Sequence, residues 1–400
     1  MTKPKALTRV RLGDVLEKVV RPVDVMVSNL YQEIGVRSHG KGIFHKKPIL
    51  GASLGEKRVF HVEPNCLVLN IVFAWEQAIT VTTEREVGMI ASHRFPMWRS
   101  TGNVDVRFLA LVFQTKRGRE LLSMVSPGGA GRNKTLNQSD FEDIELTIPP
   151  LVEQLRIVDM AATWTNAIDK LEGIVDAKRR RKAGLLQTLL ANTPQLPLLD
   201  LADVWFSGVD KKTVDGQQLV RLCNYMDVFH NAEITSELQF MQASASAREI
   251  EANALRRGDV VFTKDSETAE EIAESALVAA DFDDLVCGYH LAIARPRARK
   301  TEGEFLAQAM RYTPVRHAFA RSANGVVRFG LTLDALELIE LPAPPLSRQR
   351  EIASILWAED RSTARLVKQL DFLRVQRRGL LQKVLTGEWR LLAVASEQAA

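Results

Sequence analysis

Residues 126–135, SPGGAGRNKT, come close to a phosphate-binding loop. Such a loop reads G-x-x-x-x-G-K-[ST], because backbone amides must cradle phosphate while the lysine reaches it. Gly128, Lys134 and Thr135 stand in register, but Asn133 occupies the place of the second glycine. Asp265 and Glu267, beside Lys264 in TKDSET, invite a metal or acid–base reading; the competing reading is a loop that caps a turn or presents side chains outward. There is no H-E-x-x-H and no Cys/His cluster, and the seven histidines are scattered without metal spacing. Pro149-Pro150 lies between Ile148 and Leu151, whereas an adenine methyltransferase holds its flipped base with Asn or Asp before such a pair and an aromatic after it. Catalytic constellations are therefore scarce.

The chain of 400 residues, 46% hydrophobic, is long enough for two or three domains with substantial cores. No run of about 18 apolar residues marks a membrane span. The opening MTKPKALTRVRLGDV lacks the apolar centre of a signal peptide, which predicts a cytosolic protein. Cys66, Cys223 and Cys287 are too far apart for a C-x-x-C site and read as small buried residues. The net charge of +4 permits a polyanionic partner without demanding one.

An internal repeat organises the chain. EDIELTIPPLVEQLRIV at 142–158 returns as ELIELPAPPLSRQREIA at 337–353, an offset of 344 − 149 = 195 between the Pro-Pro-Leu triplets. GLLQTLL from Gly184 returns as GLLQKVL from Gly379 at the same offset, and 17 of 49 ungapped positions from 142 to 190 are identical. Ile157, Ala161, Trp164, Ile168, Leu171 and Val175 follow helical spacing, as do Ile352, Leu356, Leu366, Leu370 and Leu373. A proline pair before each stripe suits a helix start. Helices of roughly 35–40 residues need a partner along their length, which an antiparallel pair supplies.

Two globular segments precede the helices and contain short apolar runs: NCLVLNIVF, QAITVTT, GDVVFTK and YHLAIARP. The expected fold class is α+β: two mixed α/β domains, each followed by a long helix, with the helices packed as an antiparallel coiled-coil spacer. The expected boundaries are 1–148, 149–194, 195–343 and 344–392, with a tail at 393–400.

This order of elements, with PPLVEQLRIV and RRRKAGLLQTLL in one copy and PPLSRQREIA and RRGLLQKVLTGEW in the other, resembles the specificity subunit of Type I restriction-modification systems. The resemblance covers nearly the whole chain. VDKKTVDGQQLVRLCNYMDVFHNAEIT, LRRGDVVFTKDSE and CGYHLAIARP are similar to that family's target-recognition domain, while the first segment fits less closely. The resemblance implies a non-catalytic DNA-binding subunit in which each recognition domain reads one half of a split target in double-stranded DNA. It implies partners: two methyltransferase subunits carrying S-adenosylmethionine, and restriction-translocation subunits using magnesium and ATP, with no cofactor in this chain and no membrane. It places the protein in the prokaryotic cytoplasm. Gln154, Arg156, Gln349 and Arg350, in the repeated helix starts, are the implied partner-docking residues. Half-sites about one DNA turn apart, some 34–36 Å, would be separated by a fixed, unread gap.

Within that frame the candidate DNA contacts of the first domain are Lys46, Lys47, Lys57, Arg58, His93, Arg94, Trp98, Arg99, Arg132 and Lys134. Those of the second are Lys211, Lys212, Arg221, Asn224, Tyr225, Lys264, Ser266, Tyr289, His290, Arg321, Asn324 and Arg328. Arg and Lys hold phosphate or guanine, Asn pairs with adenine, and a carboxylate accepts from cytosine. The run KRRRK at 178–182 reads first as a solvated helix face, with phosphate contact or partner docking as the alternatives. The glycine loop has a counterpart at the 195 offset, RSANGVVRFG, basic but without the lysine, which favours a DNA-facing loop over a nucleotide site. The rival functions are a specificity subunit of a modification-restriction complex outside Type I, a coiled-coil interaction scaffold without a DNA role, and a nucleotide hydrolase using 126–135.

Overall fold

A computed structural model describes residues 7–128 and 134–391. The chain divides into two compact units, one of Met1–Asp169 with Asp371–Ala400 and one of Lys170–Leu370. Both apolar stripes form helices, Leu151–Leu190 and Leu346–Leu385, each of 40 residues and about 60 Å long. Their bounds differ by the repeat offset at both ends, 346 − 151 = 385 − 190 = 195. Each begins directly after its proline pair, where a missing N–H removes no helical hydrogen bond. Each contributes one part to each unit.

In the first unit a four-stranded antiparallel sheet runs in the order Leu16–Val19, Met97–Ser100, Leu67–Leu69, Ile79–Val81. In the second, a sheet runs Ala202–Phe206, Leu291–Pro296, Val260–Thr263, Ser275–Val278, and adds Glu233–Ile234 in parallel at its end. The first four strands share one order in both units. The duplication therefore holds in topology even where the first segment has drifted in sequence. All four apolar runs singled out above become strands; Val260–Thr263 is buried at every position, as a strand covered on both faces must be.

A helical hairpin packs on each sheet, Val106–Phe113 with Lys116–Met124 and Gly303–Ala309 with Thr313–Ser322. In the first unit Asp105 caps one helix by accepting from Arg107 N at 2.7 Å, and Thr115 caps the next by accepting from Gly118 N at 3.0 Å. Gly118 permits the tight corner, since a Cβ there would stand 2.3 Å from Val112 O and 2.4 Å from Phe113 Cα.

The long helices close each core. Ile157 and Val158 of the first helix share a cluster with Val384 of the second, beside Phe108, Phe113 and Phe141. In the other unit Leu186 and Leu190 join Ile352 and Leu356 around Phe262, Phe305 and Phe319. The helices are antiparallel, as the spacing required. Cys66, Cys223 and Cys287 are buried free thiols, and Cys223 and Cys287 are register partners on adjacent strands.

Candidate nucleic-acid interface

The second unit gathers several candidates around one cavity of about 930 Å³, lined by Lys211, Tyr225, Ser266, His290 and Arg328 together with Asp265. A two-residue ladder builds it: Asp265–Ser266 pairs with Phe329–Gly330, tying TKDSET to RSANGVVRFG. The latter loop is pinched by reciprocal backbone bonds between Asn324 and Gly330, both 2.9 Å. Gly325, at φ +149°, permits the turn, for a Cβ there would lie 1.9 Å from Arg328 O. Val326 and Val327 at the loop tip are 93% and 87% exposed.

Asp265 organises the cavity floor. His290 Nδ1 lies 2.8 Å from its Oδ1, and Arg328 Nη2 donates to the same oxygen at 3.0 Å. The carboxylate therefore faces an imidazole and a guanidinium, and it forms an ion pair with Arg328. Tyr225 Oη is 3.4 Å from Ser266 Oγ, and the Tyr225 and Phe229 rings stack at 5.5 Å. Lys264 lies over Phe206 and Tyr289 at 5.3 and 5.4 Å, just outside the cavity lining. Glu267 and Glu271 also face the cavity, so acids and bases alternate on its wall. Mixed donors and acceptors suit the reading of base edges better than the holding of phosphate.

Other candidates of this unit stand elsewhere. Arg221 is held by Asp284 with Nε at 2.8 Å and packs on Phe240 and Phe282, which makes it a structural side chain. Asn224 begins the helix Tyr225–His230, its N–H donating to Asp227 at 2.7 Å. Lys212 pairs with Asp210 at 3.0 Å. Ser266, though it lines the cavity, is only 3% exposed and donates its hydroxyl to Glu271 at 3.2 Å. Arg321 is exposed at the end of Thr313–Ser322.

In the first unit Lys46, Lys57, His93 and Arg94 line a smaller cavity of about 320 Å³ with Glu33 and Asn70; Lys46 pairs with Glu33 at 3.2 Å. His93 and Arg58 also meet at a neighbouring depression of about 180 Å³. Lys47 is exposed beside Lys46, Arg99 pairs with Glu63 at 3.2 Å, and Lys134 lies over the Trp75 ring at 5.4 Å. Trp98 is a correction: it is fully buried, donates from Nε1 to Glu142 at 2.9 Å and packs on Phe141. Arg132 and Asn133 lie outside the described residues; the flanking Gly128 and Lys134 form an antiparallel bridge. A run passed over in sequence, Gly51-Ala-Ser53-Leu-Gly55, spells a nucleophile elbow. It forms a 3₁₀ turn, and no histidine among the described residues is hydrogen-bonded to Ser53.

The repeated glutamines are a second correction. Gln154 is buried, accepts from Asp105 N at 2.9 Å and donates to Pro149 O at 2.8 Å. Gln349 accepts from Thr301 Oγ1 and Glu302 N at 2.9 and 3.1 Å, and donates to Lys300 O and Pro344 O at 3.0 and 2.9 Å. Each side chain fastens its helix start to the preceding domain and presents nothing to a partner. Arg156 is exposed, and Arg350 is exposed while paired with Glu302. The run at 178–182 is also less solvated than read: Lys178 and Arg181 pair with Glu359, and Lys182 reaches Asp360 at 2.6 Å. Residues missed from sequence include Phe229 and Met226 on the cavity wall, which the i, i+4 spacing of Tyr225 and Phe229 could have revealed.

No protein-family model matches the chain. A Methanocaldococcus jannaschii protein named as the specificity subunit of type I restriction enzyme MjaX is 27% identical over 130 residues, 32% of this chain. The match spans 30% of that relative's length. A chain from a structure described for complex assembly and conformational transition of the type I restriction-modification system superposes with a TM-score of 0.59 at 17% identity, covering 97% of this chain and 100% of the other. The S subunit of the Type I system from M. genitalium gives 0.57 at 11% identity, covering 94% and 95%. In sequence across 32% of its length, and in fold across nearly all of it, the chain resembles the specificity subunits of type I restriction-modification systems.

Proposed function

We propose that this chain is a non-catalytic DNA-specificity subunit that recognises a bipartite target, one half-site for each unit. The observation that carries this is the duplicated sheet order, which supplies two similar modules for two half-sites. The mixed-charge cavity around Asp265 and the cavity lined by Lys46, Lys57, His93 and Arg94 are the surfaces assigned to base reading, and the exposed cations around them to phosphate. Arg132 and Lys134 extend that assignment to the glycine loop. The two long helices set the unread gap, so altering their length changes the gap and leaves both half-sites unchanged.

The chemistry belongs to partners in this reading: adenine methylation on two methyltransferase subunits with S-adenosylmethionine, and ATP- and magnesium-dependent restriction on separate subunits. Exposed Arg156 and Arg350, with the exposed apolar Val152, Leu155 and Ile355, are the helix residues available for docking. No helix among the described residues is long and apolar enough to cross a membrane, and the assembly is assigned to the cytoplasm. Methylome sequencing of a host that expresses this chain with its cognate methyltransferase tests the proposal. Two short half-sites around a constant gap are expected; a continuous methylated site would defeat it.

A further inference from the structure

The two units differ at one corresponding place, where the long helices meet the helical hairpin. In the second unit that place holds a closed polar network around Asp360. Lys182 Nζ lies 2.6 Å from both carboxylate oxygens, Gln308 Nε2 donates at 2.7 Å and Arg311 Nη1 at 3.4 Å. The repeat identifies the corresponding residues in the first unit. On the helices the 195 offset takes Lys182 to Arg377 and Asp360 to Thr165. On the hairpins the two glutamine locks set the correspondence Asp105 to Glu302, an offset of 302 − 105 = 197, which takes Gln308 to Leu111 and Arg311 to Gln114.

All four corresponding residues line one cavity of about 850 Å³. The carboxylate that Lys182, Gln308 and Arg311 share in the second unit is thus absent from the first, and no charged group has replaced it: Thr165 donates its hydroxyl to Ala161 O at 2.9 Å. Of the network's two cations one has stayed, Lys182 as Arg377, while Arg311 has become the neutral Gln114. Lys41, Lys116, Arg377 and Arg378 line the cavity with Asp169, and so does Arg374, which is paired with Asp371 at 3.2 Å. Arg377 is half-buried and its Nε is shut off from water with no hydrogen-bond partner. Burial lowers its pKa from the ordinary value and Asp169 opposes that shift, so the guanidinium sits there as an incompletely compensated cation. With Arg374 paired, four further cations against Asp169 suit a multiply charged anion, and a concave site of this volume admits a small molecule.

We propose that the cavity of the first unit binds a small phosphate-class oxyanion, which takes the place of the carboxylate that Asp360 supplies in the second. The site is independent of the target-reading cavities and of the proposed DNA function. The test is isothermal titration calorimetry on the full chain with inorganic phosphate and pyrophosphate, against chloride at matched ionic strength. One saturable site per chain is expected, with pyrophosphate the tighter ligand. Thr165→Asp installs the missing carboxylate and should weaken binding about tenfold or more while raising the melting temperature in phosphate-free buffer. Arg377→Gln should weaken binding similarly, and Arg377→Lys should largely retain it. If Thr165→Asp fails to fold, Arg377→Gln and Lys116→Gln decide the matter. Absence of saturable binding, or unchanged affinity in the folded variants, would overturn the proposal. So would stoichiometric displacement of pyrophosphate by short duplex DNA, which would make the cavity part of a DNA path.

Discussion

Replacing Gln349 by alanine separates a structural lock from a docking residue. Its amide makes four hydrogen bonds at a site only 1% exposed. At about 1 kcal/mol net for each bond, the loss approaches ~4 kcal/mol, and the stranded Glu302 N–H and two carbonyls keep it from falling much lower. Gln154 makes two such bonds, so Gln154→Ala should cost about 2 kcal/mol. The ratio is set by the structure and does not depend on the value chosen for one bond. Urea unfolding of the full chain measures both losses, and amide exchange localises them: faster exchange at Glu302 in the first variant and at Asp105 in the second. Gln349→Glu tests direction as well as size, since it keeps the acceptor but turns a carboxylate toward Lys300 O and Pro344 O; it should be no milder than alanine. The reasoning fails if Gln349→Ala leaves stability within about 0.5 kcal/mol of the parent while abolishing assembly with a methyltransferase. That result would return the glutamine to the docking surface.

Asp360→Ala removes the acid that Lys182 and Arg311 share and should destabilise the chain by about 3–5 kcal/mol in urea unfolding. A change below 1 kcal/mol would show the network to be dispensable. Arg328→Ala, on an exposed side chain bonded to Asp265, should weaken specific DNA binding and relax methylation only at the half-site read by the second unit. Equal relaxation at both half-sites in methylome sequencing would count against the assignment. For Asp105, burial pushes the carboxyl upward, but hydrogen bonds from the Arg107 side chain and backbone outweigh it and hold the group below its ordinary range. Its contribution is therefore full above the unfolded carboxylate range and is lost as pH falls through the lower folded value. Asp105→Asn should flatten that acid limb of the stability curve, and an unchanged limb would assign the acid sensitivity to other groups.

Periodicity made the long helices readable, because an apolar stripe repeating every three or four residues has one economical solution. The strand Val260–Thr263 was readable for the same kind of reason, as a short β-branched run bounded by glycine and a polar stretch. The roles of individual polar residues were not. Gln154 and Gln349 recur at fixed positions, which marks them as important, but spacing along a helix does not say what stands opposite. Here the opposing groups of the preceding domain stand 47–49 residues earlier in the chain and, the Thr301 hydroxyl apart, are backbone atoms. Trp98 was misplaced for a related reason: arginines and a histidine surround it in sequence, while strand pairing with Lys18 and Leu67 turns its own side chain inward. Asp265 stood in a conspicuous motif, yet its partner Arg328 is 63 residues away and could only be found in three dimensions.

The division of the long helices between the units also sets an order of events during synthesis. The second unit is one continuous stretch, Lys170–Leu370, and has all of its sequence once Leu370 has left the ribosome. The first unit is discontinuous: Ile157 must await Val384 to complete its core, and Glu153 must await Arg390, 237 residues later. Closing so long a loop from an unfolded chain carries a substantial entropic penalty, which grows only slowly with further length. If the intervening stretch folds first, most of that loop is already ordered when the C-terminal segment arrives. The half of the molecule that is translated first is thus the half that finishes folding last.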